Sequence, residues 1–309
     1  GIDEKFSVNA VNGTASFSIP HPFSPARGVS PAFGLSYNSG AGSGIFGLGW
    51  NISLPSIKRK TDKELPQYID VVDSDTYLFS EAEDLVPEFK KEADGSFSKD
   101  VDDNFVIKEK SSTDGIFTIR FYRPRIEGLF ARIERWTHKT TGEISWSADA
   151  RIFDPKDGRK IFEWLPEFVF DDKRNCSRYI YKAKDEKGIE TSKAHNKNRF
   201  ISNKITYSNL YLHKMFYGNK TPYKQFGDTF LSENDFLFET VFDYGTLKPG
   251  DTPDKTNDWD FREDAFSDYK AGFEIRTTRL CRRVLHFHHF SGANEYEGLV
   301  RSVNFEYDT

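Results

Sequence analysis

The sequence predicts an all-β protein of antiparallel sheets with short helices and long loops. Three observations carry this. Phenylalanine fills 29 and tyrosine 14 of the 309 positions against a single methionine, and aromatic side chains suit a pleated, half-buried surface. Apolar and polar residues alternate with a period of two in one segment after another, which puts one face of each strand in a core and the other in water. Between these runs stand pairs such as Asp-Gly, whose tolerance of positive φ fits tight hairpin turns.

Ala15, Phe17 and Ile19 alternate with Thr14, Ser16 and Ser18, and Phe33, Leu35 and Tyr37 alternate with Gly34, Ser36 and Asn38. Phe46, Leu48 and Trp50 alternate with Gly47 and Gly49, so residues 33–54 read as a strand–turn–strand corner whose glycines let the wall bend. Asp94-Gly95, Asp114-Gly115, Thr141-Gly142 and Asp157-Gly158 mark turns, and RIFDPKDGRKIFEW (151–164) reads as a complete hairpin. Ile144, Trp146 and Ala148 alternate with serines, and Val303, Phe305 and Tyr307 with polar residues, each predicting a strand. Segments with a helical period are scarce; the best are short, near 81–85 and within 260–269. The polar stretches 182–198 and 248–260 read as interaction loops or disordered segments. No short repeat of fixed period stands out.

A chain of this length buries about three-quarters of its unfolded surface, enough for a sizeable core. We read 1–309 as a single β-domain. Its last residues stop within or just after a strand, which leads us to expect a longer natural chain. The net charge of -5 supplies no basic footprint for nucleic acid. No apolar run approaches the roughly 20 residues of a membrane-spanning helix. Cys176 and Cys281 are too few for a disulfide framework and read as two unpaired thiols.

The segment GAGSGIFGLGW (40–50) holds a formal G-x-G-x-x-G at Gly42, Gly44 and Gly47. A dinucleotide fingerprint needs a strand before the glycines and a helix after them, since the helix N-terminus binds the pyrophosphate. The strand is there, but FGLGWNISLP (46–55) alternates like a strand and ends in proline. A nucleophile elbow at Ser43 fails because Ala41 stands where a glycine belongs. His286 and His288 would share a strand face with a metal-like spacing, but a third ligand, such as Cys281 or a carboxylate, has no position set by the sequence. Asp70, Asp73 and Asp75 resemble half a calcium loop without its glycine and its twelfth-position glutamate, and read as a solvated loop. Glu81/Glu83 and Glu295/Glu297 carry a Glu-x-Glu spacing that is common by chance among 48 acidic residues. Lys58-Arg59-Lys60 and Arg279, Arg282 and Arg283 read as strand-edge or interface charge. No residue is therefore assigned a catalytic, cofactor-binding or metal-binding role, and no cofactor is expected.

Several segments resemble one family. They are GTASFSIP (13–20), PAFGLSYNSGAGSGIFGLGW (31–50), SDTYLF (74–79), FYRPRIEGLFARIERW (121–136), FDYG (242–245), REDAFSDYKAGFEIR (262–276) and RLCRRVLHFHHF (279–290). In order across almost the whole chain, they are similar to the SpvB family. That is the N-terminal domain shared by the Salmonella virulence-plasmid B protein and the B component of ABC-type (Tc) insecticidal toxin complexes. The resemblance implies curved antiparallel sheets of the Rhs-shell type and a non-catalytic module of a secreted toxin, adding strands to a β-shell that houses or delivers a toxic cargo. Its implied partners are the toxin C component with its Rhs-repeat shell and cargo and, indirectly, the pore-forming A component, with no nucleic acid and no membrane span. It also implies an extracellular location, or the host cytoplasm after delivery. The alternative is a surface-binding module for carbohydrate or host protein that targets an attached effector such as an ADP-ribosyltransferase. Trp136, Trp146 and Trp259 would be its platform. The loops 182–198 and 252–259 depart from the family pattern.

Overall fold

The computed structural model describes residues 5–8, 14–28, 31, 34–52, 54–80, 83–126, 133–144, 147–185, 187–201, 204–223, 231–248, 252–253, 258–291 and 297–307. Among the described residues the regular structure is almost wholly antiparallel strand, as the alternation predicts. Two compact units divide it. One comprises Gly1–Leu54, Pro166–Asp268 and Ile275–Thr309, the other Pro55–Leu165 and Tyr269–Glu274.

The first unit holds two larger sheets. The strands Lys5–Val8, Ala15–Pro20, Gly34–Asn38 and Trp50–Ile52 pair in that order. A six-stranded sheet runs Phe168–Phe170, Cys176–Ala183, Leu210–Asn219, Phe236–Asp243, Arg283–His288 and Gly298–Asn304. The central strands carry the core because both faces are covered: Met215 and Phe242 are fully buried, with Tyr211, Tyr244, Trp259 and Cys281 packed beside them. Phe46 enters this core from the glycine corner.

In the second unit the path runs Glu109–Ser111, Phe117–Pro124, Glu83–Pro87, Tyr77–Phe79, Ile57–Arg59, Asp157–Trp164 and Arg151–Asp154, and Ile133–His138 also pairs with Phe117–Pro124. Tyr77, Leu85, Tyr122, Ile144, Ile161 and Trp164 form its apolar centre.

Several expectations are corrected. Residues 83–87 are a strand: Leu85 alternates inward from Asp84 and Val86 and pairs with Tyr77. The stretch 260–269 contains the strand Phe266–Asp268, not a helix. The hairpin 151–164 exists, but it turns at residues 155–156 and Gly158 lies inside the strand Asp157–Trp164. Pro155 fixes the φ that a turn needs, and the Asp154 carboxylate accepts from the Lys156 N–H. Ile144 forms only an isolated bridge to Thr137, and Ala148–Ala150 is a 3-10 turn. The last strand ends at Asn304, and Phe305 and Tyr307 pack beyond it. The stretch 182–198, read as an interaction loop or a disordered segment, carries turns and the short helix Ala194–Lys197 among its described residues.

The chain also contains a short repeat that its alternation does not mark. Phe89, Phe97 and Phe105 recur every eight residues, and their segments close a triangle. The Lys90 N–H donates to the Val106 carbonyl, Val106 N–H to Ser98 and Ser98 N–H to Lys90, at 2.8, 3.0 and 2.9 Å. The three rings stand 5.4–6.1 Å apart about that centre.

Candidate functional site

The glycine corner is structural in its local geometry. The strand Gly34–Asn38 leads into a two-stranded ribbon, Ser43–Gly44 with Gly47–Leu48, and Trp50–Ile52 returns to pair with Gly34–Asn38. No helix follows the glycines among the described residues, so no helix N-terminus is present to hold a pyrophosphate. The corner's carbonyls are taken from within: Ile45 O accepts from the Cys281 N–H at 2.7 Å and Gly44 O from Arg262 at 2.8 Å.

His286 and His288 do share a face of the strand Arg283–His288, as their spacing predicts. His286 lies opposite Thr240 and engages its hydroxyl through Nδ1 at 3.1 Å. The residue that meets it is His21, far away in sequence, Nε2 to Nε2 at 2.8 Å. His288 Nε2 meets the Ser24 hydroxyl at 2.8 Å. Cys281 stays away from these rings, buried with its sulfur toward the Arg283 carbonyl. His289, on the other face, bonds Glu239 at 2.9 Å. Among the described residues no group of three His, Cys, Asp or Glu side chains could hold a metal ion.

The acidic run is not a solvated loop. Asp70 and Asp75 both bind Arg59, which is 1 % exposed, and Asp73 binds Arg120 and Arg135. The Arg59 Nε donates to the Ile161 carbonyl at 2.7 Å, and its guanidinium lies over the rings of Tyr68, Tyr77 and Trp164. Arg59 is therefore core charge and not edge charge, because a strand turns alternate side chains to opposite faces and leaves Lys58 and Lys60 on the other side. Lys60 pairs with Asp84 at 2.7 Å on the rim of a polar cleft of about 470 Å³.

Arg279 and Arg283 are likewise buried. Arg279 donates to the carbonyls of Trp259 (2.7 Å) and Lys187 (2.9 Å) and to the Asp185 carboxylate, which fastens the loop after Ala183. Arg283 pairs with Asp243 across the sheet. Sequence reasoning missed these pairings because their partners lie 20–94 residues away.

Two acidic residues of the Glu-x-Glu pairs, Glu81 and Glu295, lie outside the described residues, as does Trp146. Glu297 lines a small cavity of about 210 Å³ with Glu239 and His289. Trp259 is no surface platform: it is 4 % exposed and packs on Tyr244 at 4.3 Å. Trp136 is half-buried against Phe117, its indole N–H on Glu134 at 3.1 Å.

The chemistry of these groups is subdued. Burial pushes the Cys176 thiol up to about 11 and holds Cys281 higher still, so neither is a ready nucleophile, and both are free thiols. Burial lowers His21 to about 4 and His286 to about 3, which keeps both neutral at pH 7. Of the most deeply buried carboxylates, Asp75 and Asp243 are tied to arginine and Glu239 to Lys214 and His289.

No helix among the described residues is long and apolar enough to cross a membrane. Residues 9–290 match the family described as Salmonella virulence plasmid 65kDa B protein, SpvB. A relative from Salmonella typhimurium named mono(ADP-ribosyl)transferase SpvB is 34 % identical, over 98 % of this chain and 52 % of its own length. The chain thus spans about half of the curated relatives it matches. The crystal structure of TcdB2-TccC3-TEV contains the same fold over 100 % of this chain and 15 % of its own, at 33 % identity and a TM-score of 0.80. The N-terminal domain of effector protein SpvB from Salmonella typhimurium strain LT2 matches 94 % of this chain and 93 % of its own, at 33 % identity and a TM-score of 0.75. The fold is that of a structural part of a toxin, it runs through both compact units, and the chain belongs to the SpvB family.

Proposed function

We propose that this chain is a non-catalytic structural module of a secreted toxin, contributing strands to a β-shell that houses or delivers a toxic cargo. The observation that carries the reading is that the whole chain superimposes on one 15 % segment of TcdB2-TccC3-TEV. The same fold stands almost alone as the N-terminal domain of an effector, so it is a unit that different toxins reuse. The two compact units act here as one module of a longer chain, and its partners are a C component with its Rhs-repeat shell and cargo, and a pore-forming A component reached indirectly. Its place of action is outside the producing cell, or inside a host cell after delivery.

Local chemistry supports the non-catalytic part. Nucleophilic and acid–base catalysis need groups whose pKa lies near the working pH and whose charge is free to change. Here the thiols are shut in, two of the histidines are held neutral, and the buried carboxylates Asp75, Asp243 and Glu239 are paired with Arg59, Arg283 and Lys214. Burial of Trp259 also removes one of the three tryptophans of the glycan-platform alternative.

The test is to express the full reading frame with its C component. Co-purification and slow proteolysis of the enclosed cargo are expected; cargo digested equally fast with and without this chain defeats the encapsulating role. In parallel, the chain alone is incubated with labelled NAD and host lysate. No transfer of label is expected, and labelled protein would overturn the non-catalytic reading.

A further inference from the structure

The clearest feature left unused by a shell wall is the histidine face of the six-stranded sheet. The segment 21–26, which follows the strand Ala15–Pro20, lies on that face through a short series of contacts. His21 Nε2 meets His286 Nε2 at 2.8 Å, Ser24 Oγ meets His288 Nε2 at 2.8 Å, and the Pro22 carbonyl accepts from Arg301 at 3.1 Å. Between these, the Phe23 ring stands edge-on to Tyr217 and His286.

We infer that residues 21–26 form an acid-released clasp: His21–His286 holds the segment on the sheet at neutral pH, and protonation of the two imidazoles lets it go. The geometry demands this. Two nitrogens at hydrogen-bond distance share one proton, so one ring donates and the other accepts. His286 Nδ1 is already engaged by Thr240, which ties its tautomer to that of His21. One added proton leaves the shared bond intact, while a second puts two N–H groups and two positive charges face to face. Ser24 survives protonation of His288 because its hydroxyl can accept as well as donate. The weak point is therefore the histidine pair.

The surrounding charges favour release. Arg301, from the strand Gly298–Asn304, acts on both rings, and His288 acts on His286. The strand Phe236–Asp243 presents the neutral Thr240, and its Glu239 is engaged with His289 and Lys214. The strand Leu210–Asn219 presents Tyr217, whose phenol burial pushes up to about 12, so it stays neutral. Burial is the first cause of the low pKa of both histidines, and these positive groups add to it.

The sign follows. In the clasped form His21 and His286 take up protons only near pH 4 and 3; released, they return to the ordinary value of 6.5. Below pH 6.5 the ratio of released to clasped chain rises by up to about tenfold per pH unit for each proton taken up, until the clasped form itself protonates. The segment is held in a neutral medium and loosened in an acidified compartment.

Pulsed hydrogen–deuterium exchange, with the full chain held at pH 7.5 or 4.5 and then labelled briefly at one common pH, tests this. Protection across 21–28 is expected to drop at least tenfold at pH 4.5 while the strand Leu210–Asn219 stays protected. His21→Gln, whose amide oxygen accepts from His286 in either protonation state, should abolish most of that drop. Ser24→Ala should lower protection by the same factor at both pH values and leave the acid dependence in place. Equal protection at the two pH values overturns the clasp, and so does the full acid drop in H21Q. Loss of protection across 21–28 and Leu210–Asn219 together, meaning global unfolding, overturns it as well.

Discussion

In the unit formed by Pro55–Leu165 and Tyr269–Glu274, Arg59, Arg120 and Arg135 share Asp70, Asp73 and Asp75, whereas in the other unit Arg262, Arg279 and Arg283 each have a carboxylate of their own. The first arrangement is a lattice: Tyr77 donates to Asp70 and also accepts from Arg135, so the two arginines are linked through one phenol. The second is a set of separate ties, Arg279 to Asp185, Arg262 to Asp264 and Arg283 to Asp243, each supplemented by backbone carbonyls or confined to neighbouring strands. The difference teaches how each unit is specified. A lattice fixes a centre and makes its members interdependent; separate ties fasten one loop at a time to a centre that is already apolar.

The largest effect should come from breaking the lattice. Arg59→Leu strands Asp70 and Asp75 in a buried site and is expected to cost about 3–5 kcal/mol. Arg279→Leu leaves Asp185, whose side chain is 32 % exposed and able to rehydrate, so a cost of about 1–3 kcal/mol is expected. Urea unfolding of the two variants gives the comparison directly. Adding Asp75→Asn to R59L should cost far less than the sum of the single changes, while R279L and R283L should add. Additive costs around Arg59, or an R279L loss equal to that of R59L, would erase the distinction between lattice and ties.

Acid should separate the units next. His21 and His213, lowered to about 4, and His286, lowered to about 3, all lie in the first unit. For His213 burial is the first cause, and Lys214 and Lys182 add to it. A histidine whose pKa is depressed on folding contributes stability that is complete above 6.5 and lost as pH falls toward the folded value, at up to about 1.4 kcal/mol per pH unit each. In the second unit Asp75 behaves otherwise. Burial alone would raise its carboxyl, but the N–H groups of Gln67 and Tyr68 together with Arg59 hold it below 3.8, so its contribution persists until pH falls through that range. Exchange protection at His286 and at Ile119, compared from pH 8 to 4, should therefore show the histidine face of the first unit weakening ahead of the second unit. The reverse order would refute the assignment.

Much of this fold was legible and much of its charge was not. Alternation marks strands because the pleat itself has a period of two, and it located Ala15–Pro20, Gly34–Asn38 and the 151–164 hairpin. It misled where a run outlasts its ladder, as at Phe305 and Tyr307, whose side chains keep packing after the strand ends. The turn of the hairpin was misplaced because Asp-Gly carries a strong local signal, while Pro155 with its Asp154 cap carried the decisive one. Lys58-Arg59-Lys60 looked like surface charge, yet Ile57 two residues before Arg59 already marked its inward face. Nothing local could show that Asp70, Asp73 and Asp75 meet Arg59, Arg120 and Arg135, since that depends on strand order. The candidate site fared alike: the H-x-H face was legible, and its partner His21 was not.

The glycine corner sharpens the contrast on the side of the ties. A Cβ at Gly44 would stand 2.8 Å from the Trp50 carbonyl, and Gly47 has a φ of +89° with the Tyr307 ring 3.2 Å from its Cβ position. Gly44→Val and Gly47→Val should each cost about 1–3 kcal/mol. At Gly42 a Cβ meets nothing within 4 Å, so Gly42→Val should stay within about 0.5 kcal/mol. Thermal melts of the three variants rank them; wild-type melting of G44V would mean that the corner is not packed as described. Because Ile45 and Gly44 are bonded to Cys281 and Arg262, damage here should also reach exchange rates in the unit's core.

The finger 88–108 of the other unit should behave in the opposite way, and with the smallest effect. Its hydrogen bonds close on one another through Lys90, Ser98 and Val106, and its rings pack chiefly on themselves, with Phe97 and Phe105 5.6 Å apart and about half exposed. Aromatic pairs of this geometry are worth about 0.5–1.5 kcal/mol beyond the area they bury. A double-mutant cycle of Phe97→Ala and Phe105→Ala should return a coupling in that range. Each single change should speed exchange at Lys90, Ser98 and Val106 together, since a triangle of bonds cannot lose one side and keep its shape. Ile119, in the sheet from which the finger rises, should be unmoved. If exchange at Ile119 accelerates with the finger, the finger is part of the lattice and not a closed element of its own.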